Sequence, residues 1–239
     1  MPEPYVSPWS RLVDIPYVLL TWLFQPVLGQ ESAFAVARFL VPLLWLIPYA
    51  WLAARLIEEI LDGRPSLMQT GAAAAASLFA VIEFMPNRID HHNVQIVLLL
   101  ALCLSVVSQH KFAGILLGFS ILLSFAVGLE CAPYIALALT GIAIHAALAP
   151  QSDMPRKLAQ TGLVLLAATL PVGLVLKGGT LFQTHCDVLS SPWVSALMAG
   201  GMIAAGAPAL WKLARLTTPV SRLAVLCGGG TLALMALWL

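Results

Sequence analysis

The feature that most constrains this chain is the distribution of its charges. Long runs of apolar residues almost free of Asp, Glu, Lys and Arg alternate with short connections that hold most of those residues. A bilayer core asks for about 20 apolar residues of helix. Runs of that kind lie near 34–55, 66–84, 93–109, 112–129, 131–149, 158–176, 193–212 and 220–239. Residues 12–28 are apolar too, but Asp14, Pro16 and Pro26 interrupt them. A helix lying in the membrane interface, or a short re-entrant piece, suits such a segment better than a further span. The stretch from Lys111 to Ala149 is too long for one crossing helix, and its only breakers are in Gly128-Leu-Glu-Cys-Ala-Pro133. The sequence therefore predicts an all-α, polytopic transmembrane bundle of about eight spans with an N-terminal interfacial helix. It forms a single transmembrane domain, in which residues 1–33 make an outer-face loop and the interfacial helix and residues 34–239 make the bundle.

Composition excludes several classes. Hydrophobic residues make up 60% of the chain and charged residues 10%, with a mean hydropathy of +0.93, whereas soluble domains carry about 25% charged residues. A net charge of +1 without a basic run gives nucleic acid nothing to bind. The four cysteines show no CxxC or Cys/His zinc spacing, and Cys103 and Cys227 stand in apolar runs, where buried thiols are usual. Residues 1–11 hold Pro2, Pro4, Pro8, Tyr5 and Trp9 without a basic n-region or a small-residue cleavage site, so they are not a signal peptide. They read as a loop whose upstream part is missing.

Cations set the orientation. One set of connections holds eight: Arg55, Arg64, Lys111, Arg156, Lys157, Lys212, Arg215 and Arg222. The other holds Arg11, Arg38, Arg88 and Lys177. The richer side is expected to be cytoplasmic, which places Asp14, Glu31, Glu83, Asp90, Glu130 and Asp187 at the outer face.

That outer set contains the candidates for chemistry. Residues 85–95 read Met-Pro-Asn-Arg-Ile-Asp-His-His-Asn-Val-Gln, and carboxylate and imidazole side chains serve both as ligands of divalent cations and as general bases. Neighbouring helical residues point about 100° apart, so Asp90, His91 and His92 cannot all converge from one regular helix. The plainer reading is that Asp90 or Asn87 caps the following helix. Glu130 sits at a tight turn between apolar runs, either exposed to water or facing a polar cavity. Arg11 and Asp14 share a helical face, and either anchor the chain at the interface or line the outer cavity. His185, Cys186 and Asp187 belong to a loop before Ser190-Ser191-Pro192, and Asp187 reads best as part of its turn. A Cys131–Cys186 disulfide is compatible with an oxidising outer face. Ala72–Ala76 and Gly228–Gly230 read as small-residue packing stretches. P-loop, GxSxG, HExxH and GxGxxG motifs are absent, which removes the familiar soluble catalytic frames.

Trp9-Ser-Arg-Leu-Val-Asp14 and Arg88-Ile-Asp-His-His-Asn-Val-Gln95, with Gly128-Leu-Glu130 and Cys186-Asp187, resemble bacterial polytopic proteins related to the GT-C glycosyltransferases. That superfamily includes the oligosaccharyltransferase catalytic subunit and the protein O-mannosyltransferases. The resemblance implies a sugar donor on a polyprenyl phosphate or diphosphate, chemistry at the outer face of a bacterial inner membrane, and acidic residues in outer loops. Asp90 with His91 and His92 matches the acidic motif of a second outer loop and Asp14 the end of the first. Glu130 joins them as a catalytic candidate. Arg11, Arg88, Asn93 and Gln95 are the expected substrate contacts. In some members a divalent metal, Mg or Mn, takes part, and here Asp90, His91 and His92 would hold it. Family members begin with a further span and a longer acidic loop, so the resemblance implies a truncated form or a separate N-terminal fragment as partner. The alternatives are a non-catalytic membrane subunit or lipid carrier, and an ion-coupled transporter, which would want ionisable groups in broken helices near mid-bilayer.

Overall fold

The computed structural model describes residues 10–185 and 187–238, which fold into helices and turns, with no strand among them. Ten α-helices follow in chain order: α1 (Arg11–Leu28), α2 (Gln30–Leu61), α3 (Leu67–Ala76), α4 (Leu78–Val81), α5 (His92–Val107), α6 (Ala113–Val127), α7 (Ala132–Leu148), α8 (Met154–Lys177), α9 (Ser191–Leu213) and α10 (Pro219–Trp238). Contacts group the chain into two compact units, one formed by Ser10–Ser108 and the other containing Gln109–Leu239.

Each apolar run predicted from the sequence holds helix, but the expectation of about eight spans is not met. Among the described residues, three helical stretches are long and apolar enough to cross a membrane: Gln30–Leu61, Met154–Phe182 and Ser191–Leu213. Leu67–Ala76 and Leu78–Phe84, bent by 52°, make a fourth if taken as one span. Helices α5, α6 and α7 have 16, 15 and 17 residues, short of the roughly 20 a bilayer core asks for. The difference lies in the connections. Phe112 and Leu129 are apolar yet stand outside the helices, so hydropathy runs on where the helix has stopped.

In the first unit, Gly29 alone joins α1 to α2. Its φ of 74° is a backbone state that glycine adopts without steric cost, and it lets α1 pack along α2. Ala33, Ala37 and Val41 form a buried stripe on α2 at helical spacing. α1 is continuous although it contains both Pro16 and Pro26. It leaves Val18, Leu19, Trp22, Leu23 and Val27 exposed, the face expected of a helix lying against a membrane. Farther along, Tyr49 and Leu52 of α2, Phe84, and Val97, Ala101 and Leu104 of α5 form the core, and the Tyr49 and Phe84 rings lie 5.1 Å apart. The bend after Ala76 has a local cause. The Ser77 hydroxyl donates to the Ala73 carbonyl at 2.8 Å, a contact of the kind that bends helices.

In the second unit, α8 is the helix on which α6, α7 and α9 pack. It approaches α9 at Gly162 and Gly201, where a Cβ on Gly201 would stand 2.8 Å from the Leu166 nitrogen. It approaches α6 at Gly114 and Gly118, where the Thr161 hydroxyl donates to the Gly114 carbonyl at 3.0 Å. The small-residue stretches singled out in the sequence behave differently. α3, with the Ala72–Ala76 run, has no buried residue, and of Gly228–Gly230 only Gly229 faces a neighbour, Ile203. Cys227 is exposed and Cys103 half-buried. With three stretches of spanning length and large apolar side chains exposed along them, the chain has the build of a membrane protein.

Candidate functional site

The site lies in the first unit, where the loop before α5 meets α1 and α2. Phe84 is buried in the core and fixes the backbone beside Glu83. The chain then turns through Pro86 and Asn87. Asn87 has a φ of 68°, a left-handed state that Asn tolerates better than most residues, and its N–H donates to the Arg38 carbonyl at 3.0 Å. This turn brings Arg88 back between two carboxylates. Its Nη2 lies 2.7 Å from Glu83 Oε2 and its Nε donates to Asp90 Oδ2 at 2.7 Å.

Asp90 serves two masters. While Oδ2 takes the Arg88 guanidinium, Oδ1 accepts the His92 backbone N–H at 3.1 Å and lies 3.4 Å from His92 Nδ1. Capping and a role in a polar cluster thus coexist in one carboxylate. Only His92 belongs to the helix, and His91 precedes it, so the angular argument against convergence does not apply to this segment. The two rings stack at 4.6 Å.

Tyr17 enters from α1. It is 5% exposed, and its hydroxyl donates to the Arg88 carbonyl at 3.3 Å. Burial pushes its pKa up to about 12, helped by the negative charges of Asp90 and then Asp14. Asp14, one turn earlier on the same face, is held above the ordinary carboxylate range by partial burial. A cavity of about 440 Å³ runs along this face of α1. Asp14 and Tyr17 stand at one end in sequence, Thr21, Trp22 and Gln25 follow, and Phe34 and Ile89 complete the wall. The Thr21 hydroxyl is buried without a partner.

The other expected residues distribute as follows. Arg11 opens α1 and is exposed; it makes no ion pair with Asp14 within 4 Å among the described residues, although the two share a helical face. Asn93 and Gln95 are buried; Asn93 Oδ1 accepts the Val94 N–H at 2.7 Å while its Nδ2 has no partner. Both stand in the first turn of α5. Glu130 belongs to the second unit, on the turn between α6 and α7, where its carboxylate folds over Gly128. Asp187 is exposed. Trp9 and Cys186, and with it the Cys131–Cys186 pair, lie outside the described residues. Sequence reasoning missed Tyr17 and Glu83 as members of the site. Tyr17 stands three residues after Asp14 on a helix, which makes them neighbours, and that signal was available.

A divalent ion would find Glu83, Asp90 and His92, whose ligand atoms lie within 4.8 Å of one another. Asp90 and His92 are two of the three ligands expected from the sequence, and Glu83 is an addition to them. Oxygen donors with one imidazole suit Mg or Mn, and Arg88 competes for the same oxygens. Comparison with known protein families, curated proteins and solved structures finds no match.

Proposed function

We propose that the chain is a GT-C-like glycosyltransferase of the bacterial inner membrane that moves a sugar from a polyprenyl-phosphate donor to an acceptor at the outer face. The observation that carries this reading is the cavity along α1. Asp14, Tyr17, Thr21 and Gln25 of α1 alternate with Val18 and Trp22, and Phe34 of α2 with Ile89 completes the wall, a mixed lining that offers polar contacts beside apolar surface to a lipid-linked sugar. The sugar and the phosphate come from the resemblance of the Trp-Ser-Arg-Leu-Val-Asp and Arg-Ile-Asp-His-His segments.

The chemistry follows from what each side chain offers. Asp14 carries a raised pKa, which makes its carboxylate a better acceptor for the proton of the incoming hydroxyl. As that proton leaves, the acceptor oxygen bonds to the anomeric carbon and the bond from that carbon to the donor's phosphate oxygen breaks. The lipid phosphate departs with an added negative charge, which Arg88 or Arg11 offsets. Glu83 and Asp90 fix the Arg88 guanidinium. A divalent ion, held by Asp90 with Glu83 and His92, would add charge relief at the same phosphate.

The test is transfer of labelled sugar from a lipid-linked donor in membranes holding the chain, with any separate N-terminal fragment co-expressed. Asp90→Asn keeps an oxygen for the His92 N–H but loses its charge on Arg88, and Asp14→Asn removes the proton acceptor. Each is expected to lower transfer by on the order of a hundredfold in a protein that still inserts and folds. Full activity in both variants would refute the assignment. A second reading, a non-catalytic subunit or lipid carrier, is favoured by Arg88 already pairing with both carboxylates. It expects donor lipid to bind to the wild type with no transfer.

A further inference from the structure

The strongest unassigned feature lies in the second unit, where α9 ends and α10 begins. The Leu216 N–H reaches back to the Trp211 carbonyl at 2.9 Å and the Arg215 N–H to that of Lys212 at 3.2 Å, the paired bonds of a Schellman ending. Such an ending puts one residue in the left-handed region, and that residue is usually glycine. Here it is Arg215, with a φ of 51°, although a side chain in that region carries a steric cost. Strain kept at such a position points to a use for the side chain.

Arg222 holds the loop in place. It is buried, and its guanidinium donates to the carbonyls of Leu216 at 3.1 Å, Thr217 at 2.9 Å and Ala147 at 2.9 Å. It has three carbonyl partners and, among the described residues, no carboxylate within ion-pairing distance to offset its positive charge. Lys212 and Arg215 beside it are exposed, and their side chains make no hydrogen bond or ion pair among the described residues. These three cations share the wall of a cavity of about 400 Å³ with Trp211, Pro208 and Leu216, and no carboxylate of the described residues lines it. Trp211 is 4% exposed, and its indole N–H has no partner. The acidic residue of the neighbouring connection, Asp153, lies 3.9 Å from Arg156.

We propose that this cavity is a phosphate site, with Lys212 and Arg215 as its charged contacts, Arg222 as the fixed charge behind them and the Trp211 indole as a neutral donor. Its chemistry suits the phosphodiester of an anionic phospholipid or a free phosphate. The lipid is the source the observations favour. The cavity sits at the end of α9, a helix of spanning length, its wall mixes cations with apolar groups, and basic pockets between spanning helices on the cytoplasmic side recognise anionic headgroups. The cation-rich connections, these three among them, are the ones the sequence assigns to the cytoplasm.

The experiment uses the full chain in nanodiscs of phosphatidylcholine with and without phosphatidylglycerol, and in detergent with inorganic phosphate, reading thermal unfolding and lipid retained in native mass spectra. Phosphatidylglycerol is expected to raise the unfolding temperature and remain bound. Lys212→Gln with Arg215→Gln is expected to weaken retention by about twenty-five-fold, from about fivefold per charge. Arg215→Gly separates site from scaffold: it suits the left-handed position, so unfolding in phosphatidylcholine stays unchanged or rises while phosphatidylglycerol retention falls. A shift with inorganic phosphate that both variants lose supports the site and makes free phosphate its source. Equal behaviour of the two lipids with no effect of phosphate, or retention unchanged in both variants, overturns it.

Discussion

Tyr17 is the residue through which α1 reads the charge of the loop before α5. Burial, and then the carboxylates of Asp90 and Asp14, push its pKa up to about 12, so its phenol stays protonated well into the alkaline range. The folded state therefore holds this proton more tightly than the unfolded chain, whose phenol titrates near 10. Stability from this group is complete below about pH 10 and is lost as pH rises from there through about 12. The ultraviolet titration of phenolate, taken as wild type minus Tyr17→Phe, is expected to move toward 10 in Asp90→Asn and by less in Asp14→Asn. An unmoved curve in Asp90→Asn would disprove that coupling. Asp14 has the same sign at the acid end: burial raises its pKa, so its folded form gains relative stability as pH falls through its titration. Loss of the 3.3 Å bond to the Arg88 carbonyl in Tyr17→Phe should cost about 1 kcal/mol. At this scale the sequence was readable wherever ionisable residues cluster along the chain, as in Arg88-Ile-Asp-His-His. It put Glu83 at the outer face but did not show its pairing with Arg88, which depends on a turn fixed by the Arg38 carbonyl.

Among the elements, the crossing of α8 with α9 and with α6 depends on residues that lack bulk. Gly162 faces the Ala205 nitrogen and the Gly201 carbonyl, and Gly118 faces Val164 and the Thr161 carbonyl. Because backbone stands opposite Gly162, a methyl group there has no flexible neighbour to displace. Gly162→Ala is expected to destabilise by about 1–3 kcal/mol, measured as a lower unfolding temperature in detergent. Gly200→Ala, where a Cβ meets nothing within 4 Å, is the control and should be nearly silent. Helix positions were legible, since every predicted apolar run contains one, and so was the turn at Gly128. Which small residues pack was not. The Ala72–Ala76 run and the Gly228–Gly230 triplet are conspicuous as strings, yet close approach requires one face at four-residue spacing, as in Gly114-Ile-Leu-Leu-Gly118.

For the molecule as a whole, the dominant surface property is apolar exposure. Trp22 is 76% exposed, Val27 84% and Leu137 74%, values that water would penalise and hydrocarbon would not. Hydropathy made this membrane character legible, but it overcounted the spans because it carries no information on where backbone hydrogen bonding stops. α7 is the instructive case, with 17 residues and an exposed flank of Tyr134, Leu137, Ile144 and Leu148. At about 1.5 Å per residue it reaches only some 25 Å, against a hydrocarbon thickness of about 30 Å. If that flank meets lipid, the acyl chains beside it must compress to match it, at a fraction of a kcal/mol for each ångström. Reconstituted in myristoyl rather than oleoyl phosphatidylcholine, the protein is expected to unfold at a higher temperature, and the opposite order would show that α7 is sheltered from lipid. With α7 against lipid, a mismatch of this kind ties the stability of the fold to the thickness of the bilayer around it.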